Sequence, residues 1–203
     1  MPLLPSRRSL LISGAALGAF GLPLVARAAG PIGTTMAVQG QGQITRAKVV
    51  ATLNPQDALM EGDQVATGPG SFALLELFTQ TRINLGPDSR FGIDRFVADL
   101  GGEITIGGAM VFDRPDDLPK LDLTLRNTFA QIGVRGTRFF AGPSKGVFSV
   151  FVERGEVQVG AAGQTVALRA GEGVEVAEAG GPPGPVVQWK AARIKAAFAS
   201  VGL

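Results

Sequence analysis

Arg135 and Arg138 are the side chains in this 203-residue sequence best suited to recognition chemistry. They lie in the run Ile132-Gly133-Val134-Arg135-Gly136-Thr137-Arg138-Phe139-Phe140, and a guanidinium presents a planar fork of donors that matches a carboxylate or phosphate. On a continuous strand, residues three apart face opposite sides. A bulge at Gly136 would bring both arginines to one side, because glycine tolerates bends that other residues resist. Two readings follow. In one, the arginines form an anion- or carboxylate-binding site. In the other, the run is a sharply bent core strand with Arg135 paired internally, so that Arg135→Ala mainly lowers stability.

Other chemistry is sparse. Asp113, Asp116 and Asp117 place three acids within five residues. They lack the spacing and distant glutamate of a calcium loop, and Pro115 and Pro119 stiffen the segment, so it reads as a solvated loop. Glu76 and Glu153 are the carboxylates available to a two-carboxylate carbohydrate-active enzyme, a chemistry that needs neither histidine nor cysteine. Nothing in the sequence pairs them, and one Trp with no Tyr leaves little aromatic surface for sugar stacking. The chain has no His and no Cys. That excludes disulfides, thiolate metal sites, cysteine nucleophiles, histidine bases and a Ser-His-Asp triad within it. No catalytic residue, cofactor or metal ion is indicated.

The elements that must hold these residues are short strands. Twenty-nine glycines and thirteen prolines punctuate the chain, and β-prone runs recur every eight to twelve residues between them, as in an all-β sandwich, barrel or roll. Ser71-Phe72-Ala73-Leu74-Leu75-Glu76-Leu77-Phe78 alternates with apolar residues on both faces, so both faces are expected to be covered. Residues 146–159 read as the strongest hairpin, with Arg154-Gly155 as its turn. Residues 166–168 and 173–176 read as a last strand pair around Ala170-Gly171-Glu172. A glycine-acid unit recurs at Gly62-Asp63, Gly102-Glu103, Gly155-Glu156 and Gly171-Glu172, at spacings too unequal for a solenoid.

The chain ends divide from this β region. Residues 1–28 read as a twin-arginine-type export signal: Arg7-Arg8, an apolar run over 10–25, then Ala26-Arg27-Ala28 as a small-x-small cleavage pattern. Gly14, Gly18, Gly21 and Pro23 interrupt the apolar run and make it a poor membrane span, and no later stretch is long and apolar enough to be one. Cleavage near Ala28 leaves a bacterial periplasmic or secreted chain of about 175 residues, enough for one core. Arg7, Arg8 and Arg27 leave with the signal, so 19 basic residues become 16 against 17 acidic ones, a net charge of −1. No basic field remains to favour nucleic acid. The β domain is expected over 29–179 and a Gly/Pro linker over 180–185. An amphipathic helix is expected over 186–203, with Val187, Ala191, Ile194, Phe198 and Val201 as its apolar stripe. That stripe either packs on the domain's own sheet or docks a partner.

An ordered set of short motifs resembles the FecR domain family: Gly62-Asp63-Gln64-Val65-Ala66-Thr67-Gly68, Ser71-Phe72-Ala73-Leu74-Leu75-Glu76-Leu77, Leu85-Gly86-Pro87-Asp88-Ser89, Ala130-Gln131-Ile132-Gly133-Val134-Arg135-Gly136-Thr137-Arg138-Phe139, Glu153-Arg154-Gly155-Glu156-Val157 and Leu168-Arg169-Ala170-Gly171-Glu172. The set covers about residues 55–175. Two departures stand out: Thr79-Gln80 where the family often has Asp-Gly, and Phe129 after Thr128 where it often has proline. The resemblance makes Ile132, Gly133, Val134, Arg135, Gly136, Thr137 and Phe139 the family signature, chiefly structural, with Arg135 and Arg138 as candidate binding residues. The family's named member relays a periplasmic signal through a spanning helix to a cytoplasmic anti-sigma segment. Neither has a counterpart in the sequence, so the resemblance implies the periplasmic β domain used alone. It would be a non-catalytic accessory module that binds an envelope protein or ligand in cell-envelope signalling, without the anti-sigma segment. The alternatives are a structural or surface-assembly component and, remotely, the two-carboxylate enzyme.

Overall fold

The computed structural model describes residues 30–77, 80–97, 101–119, 122–134 and 137–203. In chain order its strands are β1 (Gly33–Gln39), β2 (Gly42–Arg46), β3 (Val49–Thr52), β4 (Ala58–Leu59), β5 (Gln64–Thr67), β6 (Phe72–Leu77), β7 (Thr81–Leu85), β8 (Arg90–Val97), β9 (Gly101–Gly107), β10 (Met110–Asp113), β11 (Asp122–Arg126), β12 (Gln131–Val134), β13 (Arg138–Ser144), β14 (Val147–Arg154), β15 (Glu156–Ala161), β16 (Gln164–Arg169), β17 (Glu172–Val176) and β18 (Val187–Gln188), followed by helix α1 (Ala191–Ala199).

These strands form two nine-stranded sheets. Sheet A runs β18-β17-β14-β13-β10-β7-β6-β1-β4 and sheet B runs β16-β15-β12-β11-β9-β8-β5-β2-β3. The described residues are therefore all-β with one C-terminal helix, as the glycine-punctuated pattern predicts. Hairpins fall in both sheets, with β10 of sheet A between the β8-β9 and β11-β12 hairpins of sheet B, and among the described residues only β9 and β11 pair in parallel. The main core lies between the inner faces: Leu75, Ile83, Phe91, Ile104, Phe112, Leu123, Ile132, Phe139, Val150 and Val159 all belong to it.

Two expected pairings are corrected. β14 and β15 do not form a hairpin: β14 pairs with β13 and β17, and β15 with β12 and β16. Residues 166–168 and 173–176 likewise fall in different sheets, as β16 and β17. Alternation and a glycine turn describe a hairpin and a sheet-to-sheet corner equally well. Gly155 (φ 84°) and Gly171 (φ 87°) supply the left-handed residue at the two corners. The glycine-acid unit thus marks crossings at Gly62, Gly155 and Gly171, whereas Gly102-Glu103 lies within β9.

On β6, Ala73, Leu75 and Leu77 are buried and Phe72, Leu74 and Glu76 half-buried, so one face is core and the other partly covered. In the Thr79-Gln80 connection, Gln80 takes φ 58°, and Leu77 pairs with Thr81 across a three-residue loop. That is the length at which a left-handed residue, normally glycine, closes the turn. Three other hairpins use two-residue turns with both residues left-handed: Ala47-Lys48, Lys145-Gly146 and Ala162-Gly163. Only the first lacks glycine at the second position. Lys48→Gly is therefore expected to stabilise the domain by about 0.5–1 kcal/mol, because the left-handed penalty of a side chain disappears. A raised urea midpoint at unchanged slope would show it.

The C-terminal segment differs in extent from the expected helix. Val187 and Gln188 pair with β17 as an edge strand, and the helix occupies only Ala191–Ala199. The segment read as a linker is bonded to β17's strand end, with Gly184 N–H donating to Glu175 O at 2.8 Å. The helix packs on its own domain. Phe198, Ala197 and Val201, with Trp189, cover Val111, Phe140 and Phe151 on the outer face of sheet A. Arg193 fastens it: its guanidinium lies 3.8 Å from the centre of the Trp189 ring, pairs with Glu175 at 2.8 Å, and donates to Ser144 Oγ and Ser149 Oγ.

Trp189 stacks on Phe151, with centroids 4.8 Å apart, and its indole packs against Gly173. A Cβ added at Gly173 would land on the indole. Gly173→Ala should destabilise by about 1–3 kcal/mol through overpacking. It should also shift the emission of Trp189, the single tryptophan, to the red as the helix lifts. Unchanged emission would mean that the ring does not rest on this glycine.

Candidate binding surface

The FecR-like motifs resolve into corners. Where the chain passes between sheets, backbone groups leave the ladders and need other partners. Buried side chains supply them. Asp63, fully buried, accepts from Met60 N–H at 2.7 Å and from Arg46 Nε and Nη2 at 2.8 and 2.7 Å. Its hydrogen bond holds the Arg46 guanidinium above the ordinary arginine range. Thr67 Oγ1 donates to Gly86 O at 2.6 Å and accepts from Ser89 N–H. Ser71 Oγ accepts from Gln41 N–H, and Ser89 Oγ bridges Ala109 N–H and O.

The signature run is itself a corner. Ile132 and Val134 are buried on β12 in sheet B with Gly133 between them, and Phe139 is buried on β13 in sheet A, stacked on Phe112 at 5.3 Å. Thr137 is fully buried, and its carbonyl accepts from Arg114 N–H. Arg135 and Gly136 lie outside the described residues, so their expected roles stay with the sequence reading. Arg138 is described and is engaged within the domain. It pairs with Glu153 at 2.9 Å and Asp113 at 3.6 Å, and its guanidinium sits 5.5 Å from the Phe198 ring of α1. The Nε–Glu153 contact is an ion pair only, since the N–H is not aimed at the oxygen.

The loop after β10 is more than a solvated turn. Asp113 and Asp116 pair with Arg154, which also donates to Arg114 O at 2.7 Å. Burial alone would lower the Arg154 guanidinium, but hydrogen bonds and charge from Asp116 and Asp113 outweigh it and raise it. Arg114 is 2% exposed and donates to Pro119 O through Nε and Nη2, at 3.1 and 2.6 Å, and to Thr81 Oγ1 through Nη1 at 3.1 Å. Composition hid this arginine among exposed aspartates. The proline that stiffens the loop was the available signal, since its carbonyl is the acceptor.

Beside the signature strand an open cleft of about 730 Å³ is lined by Gly133, Val134, Gly155 and Gln158. Asp116, Asp122, Glu156 and Arg169 also line it, with Arg169 paired to Glu156 and Asp116 to Arg154. Glu76 and Glu153 are too far apart to serve as the pair of a two-carboxylate enzyme. Glu76 lies on β6 and Glu153 on β14, four strands apart in sheet A, which is about 19 Å at the usual strand spacing and well beyond glycosidase separations. Each also faces its own arginine, Arg82 and Arg138. Among the described residues no group of three metal-ligating side chains occurs, and no helix is long and apolar enough to cross a membrane.

Two crystal structures of a "putative anti-sigma factor" from Parabacteroides distasonis ATCC 8503, at 1.65 and 2.50 Å resolution, share the fold. The first has a TM-score of 0.55 at 18% identity over 66% of this chain and 63% of that one. The second has 0.54 at 19% over 66% and 62%. The chain thus spans somewhat less than two thirds of the length of those neighbours. No curated protein matches it in sequence. Residues 63–158 match the model of the family described as FecR protein. That span opens at the buried Asp63 and closes just beyond the Gly155 corner, and it identifies the chain as a protein carrying a FecR-family domain.

Proposed function

We propose that this chain is an exported, non-catalytic binding module that acts in cell-envelope signalling from the periplasm or outside the cell. The observation that carries the reading is the FecR-family match over residues 63–158. The likeness of fold to structures described as anti-sigma factors, which are regulatory proteins, adds support. The export half rests on Arg7-Arg8 and the Ala26-Arg27-Ala28 pattern. The buried Asp63 and Arg114 are held by groups of the domain itself, as structural residues are.

Affinity purification of the tagged full chain from cross-linked periplasmic extract tests this. One envelope protein recovered in near-stoichiometric amount is the expected result. Repeated recovery of none, with no ligand stabilising the chain in thermal-shift screens, would overturn it.

A further inference from the structure

The two sheets present four edges, and three are protected. β4 and β18 are two residues long, and β16 carries polar residues with Arg169 at its end. Short or charged edges resist addition of another strand. β3 has neither device. Val49-Val50-Ala51-Thr52 is uncharged and exposed along its whole length, with Val49 68% and Val50 59% accessible.

Its geometry is that of an acceptor. Ile44 pairs with Ala51 and Arg46 with Val49, while Leu53 N–H donates to Gly42 O at 2.9 Å. Backbone groups at 49, 51 and 53 therefore turn toward β2, and by alternation those of Val50 and Thr52 turn to the open edge. Thr52 O takes the Asn54 side-chain amide at 3.1 Å. Val50 N–H and C=O and Thr52 N–H remain available. On the inner side, Val49 and Ala51 share the face of the buried Ile44. Sheet A ends opposite them at the two-residue β4, leaving a groove of about 600 Å³ lined also by Ala58 and Asp57.

We propose that the open edge of β3 is a strand-acceptor site for an extended segment of a partner protein. The segment lies antiparallel to β3, places alternate apolar residues opposite Val49 and Ala51, and ends in an acid beside the exposed Lys48. The assignment rests on the binding-module reading and names the chemistry of its partner. Backbone pairing supplies affinity, and the alternate side chains supply selectivity. A second copy of β3 fits less well: the antiparallel self-pairings open to its edge-facing groups put Thr52 or Asn54 rather than an acid opposite Lys48. Four residues per copy also fall far short of the roughly 1,000 Å² a stable interface buries.

The probe is the peptide acetyl-Ser-Thr-Val-Thr-Val-Glu-amide, titrated into the ¹⁵N-labelled full chain. Saturable shifts confined to 48–52 and the groove are expected. N-methylation of the threonine opposite Val50, or Val50→Pro, which removes only an edge-facing N–H, should each weaken binding about tenfold. Replacing the peptide's glutamate by lysine should weaken it as well. Absence of saturable shifts, or an affinity indifferent to N-methylation, overturns the proposal. The N-methylated peptide decides alone if Val50→Pro fails to fold by Trp189 emission. Concentration-dependent dimerisation in sedimentation that Val50→Pro abolishes would overturn it in favour of a second copy. If the peptide fails while the purification recovers a partner, only the strand-acceptor assignment falls. If no partner is recovered and no ligand, this peptide included, stabilises the chain in the thermal-shift screens, the module reading falls as well.

Discussion

Arg46→Ala is expected to destabilise the domain by about 2–4 kcal/mol, although the Arg46 side chain is 47% exposed. An ordinary surface ion pair contributes about 1 kcal/mol or less. This pair is asymmetric: Asp63 is fully buried, and Arg46 gives it two of its hydrogen bonds while also holding Ala58 O at 2.7 Å. Removing the arginine leaves a buried carboxylate with only Met60 N–H described beside it, and an uncompensated buried charge is costly. Removing the aspartate instead lets the half-exposed arginine turn to water, so Asp63→Ala should cost less. The double variant should cost clearly less than the sum of the two, since neither charge remains to be left unpaired. Urea denaturation of the four proteins gives the cycle. Additive effects, or an Arg46→Ala cost below 1 kcal/mol, would show that the corner does not depend on this pair.

Arg114→Ala should be the most damaging single change, at about 3–5 kcal/mol. It opens a cavity at a residue 2% exposed and strips donors from Pro119 O and Thr81 Oγ1. Arg114→Met restores much of the volume and isolates the hydrogen-bond part, expected at about 2–3 kcal/mol. Arg114→Lys should not rescue fully, because an ammonium cannot reproduce the fork that meets one carbonyl through two nitrogens. Hydrogen exchange should rise first in the loop between β10 and β11 and at the start of β7. A melting curve within about 2 °C of the wild type for Arg114→Ala would sink this account.

Both predictions concern residues that periodicity could not reveal. Alternation shows which residues of a strand share a face, as Ala73, Leu75 and Leu77 do on β6. It says nothing of a guanidinium folded inward over a proline carbonyl. Phe129, unexpected before the signature, stacks on Phe148 at 5.1 Å, a contact between residues distant in sequence. Arg138, one of the two arginines with which recognition chemistry began, is held by Asp113 and Glu153 from two other strands.

The amino-acid sequence by itself determined the all-β class, the FecR-like motif order, the exclusion of thiol and imidazole chemistry, and an apolar stripe near the C-terminus. Each depends on residue identity or on near neighbours along the chain. Tertiary structure alone decided which glycines turn a hairpin and which cross between sheets, because both need the same left-handed backbone. It also decided that Asp63 and Arg114 are buried, that Arg193 clamps Trp189, and that β3 is the edge left open. Burial and edge status depend on what another strand covers, and beside β3 sheet A ends in the two-residue β4.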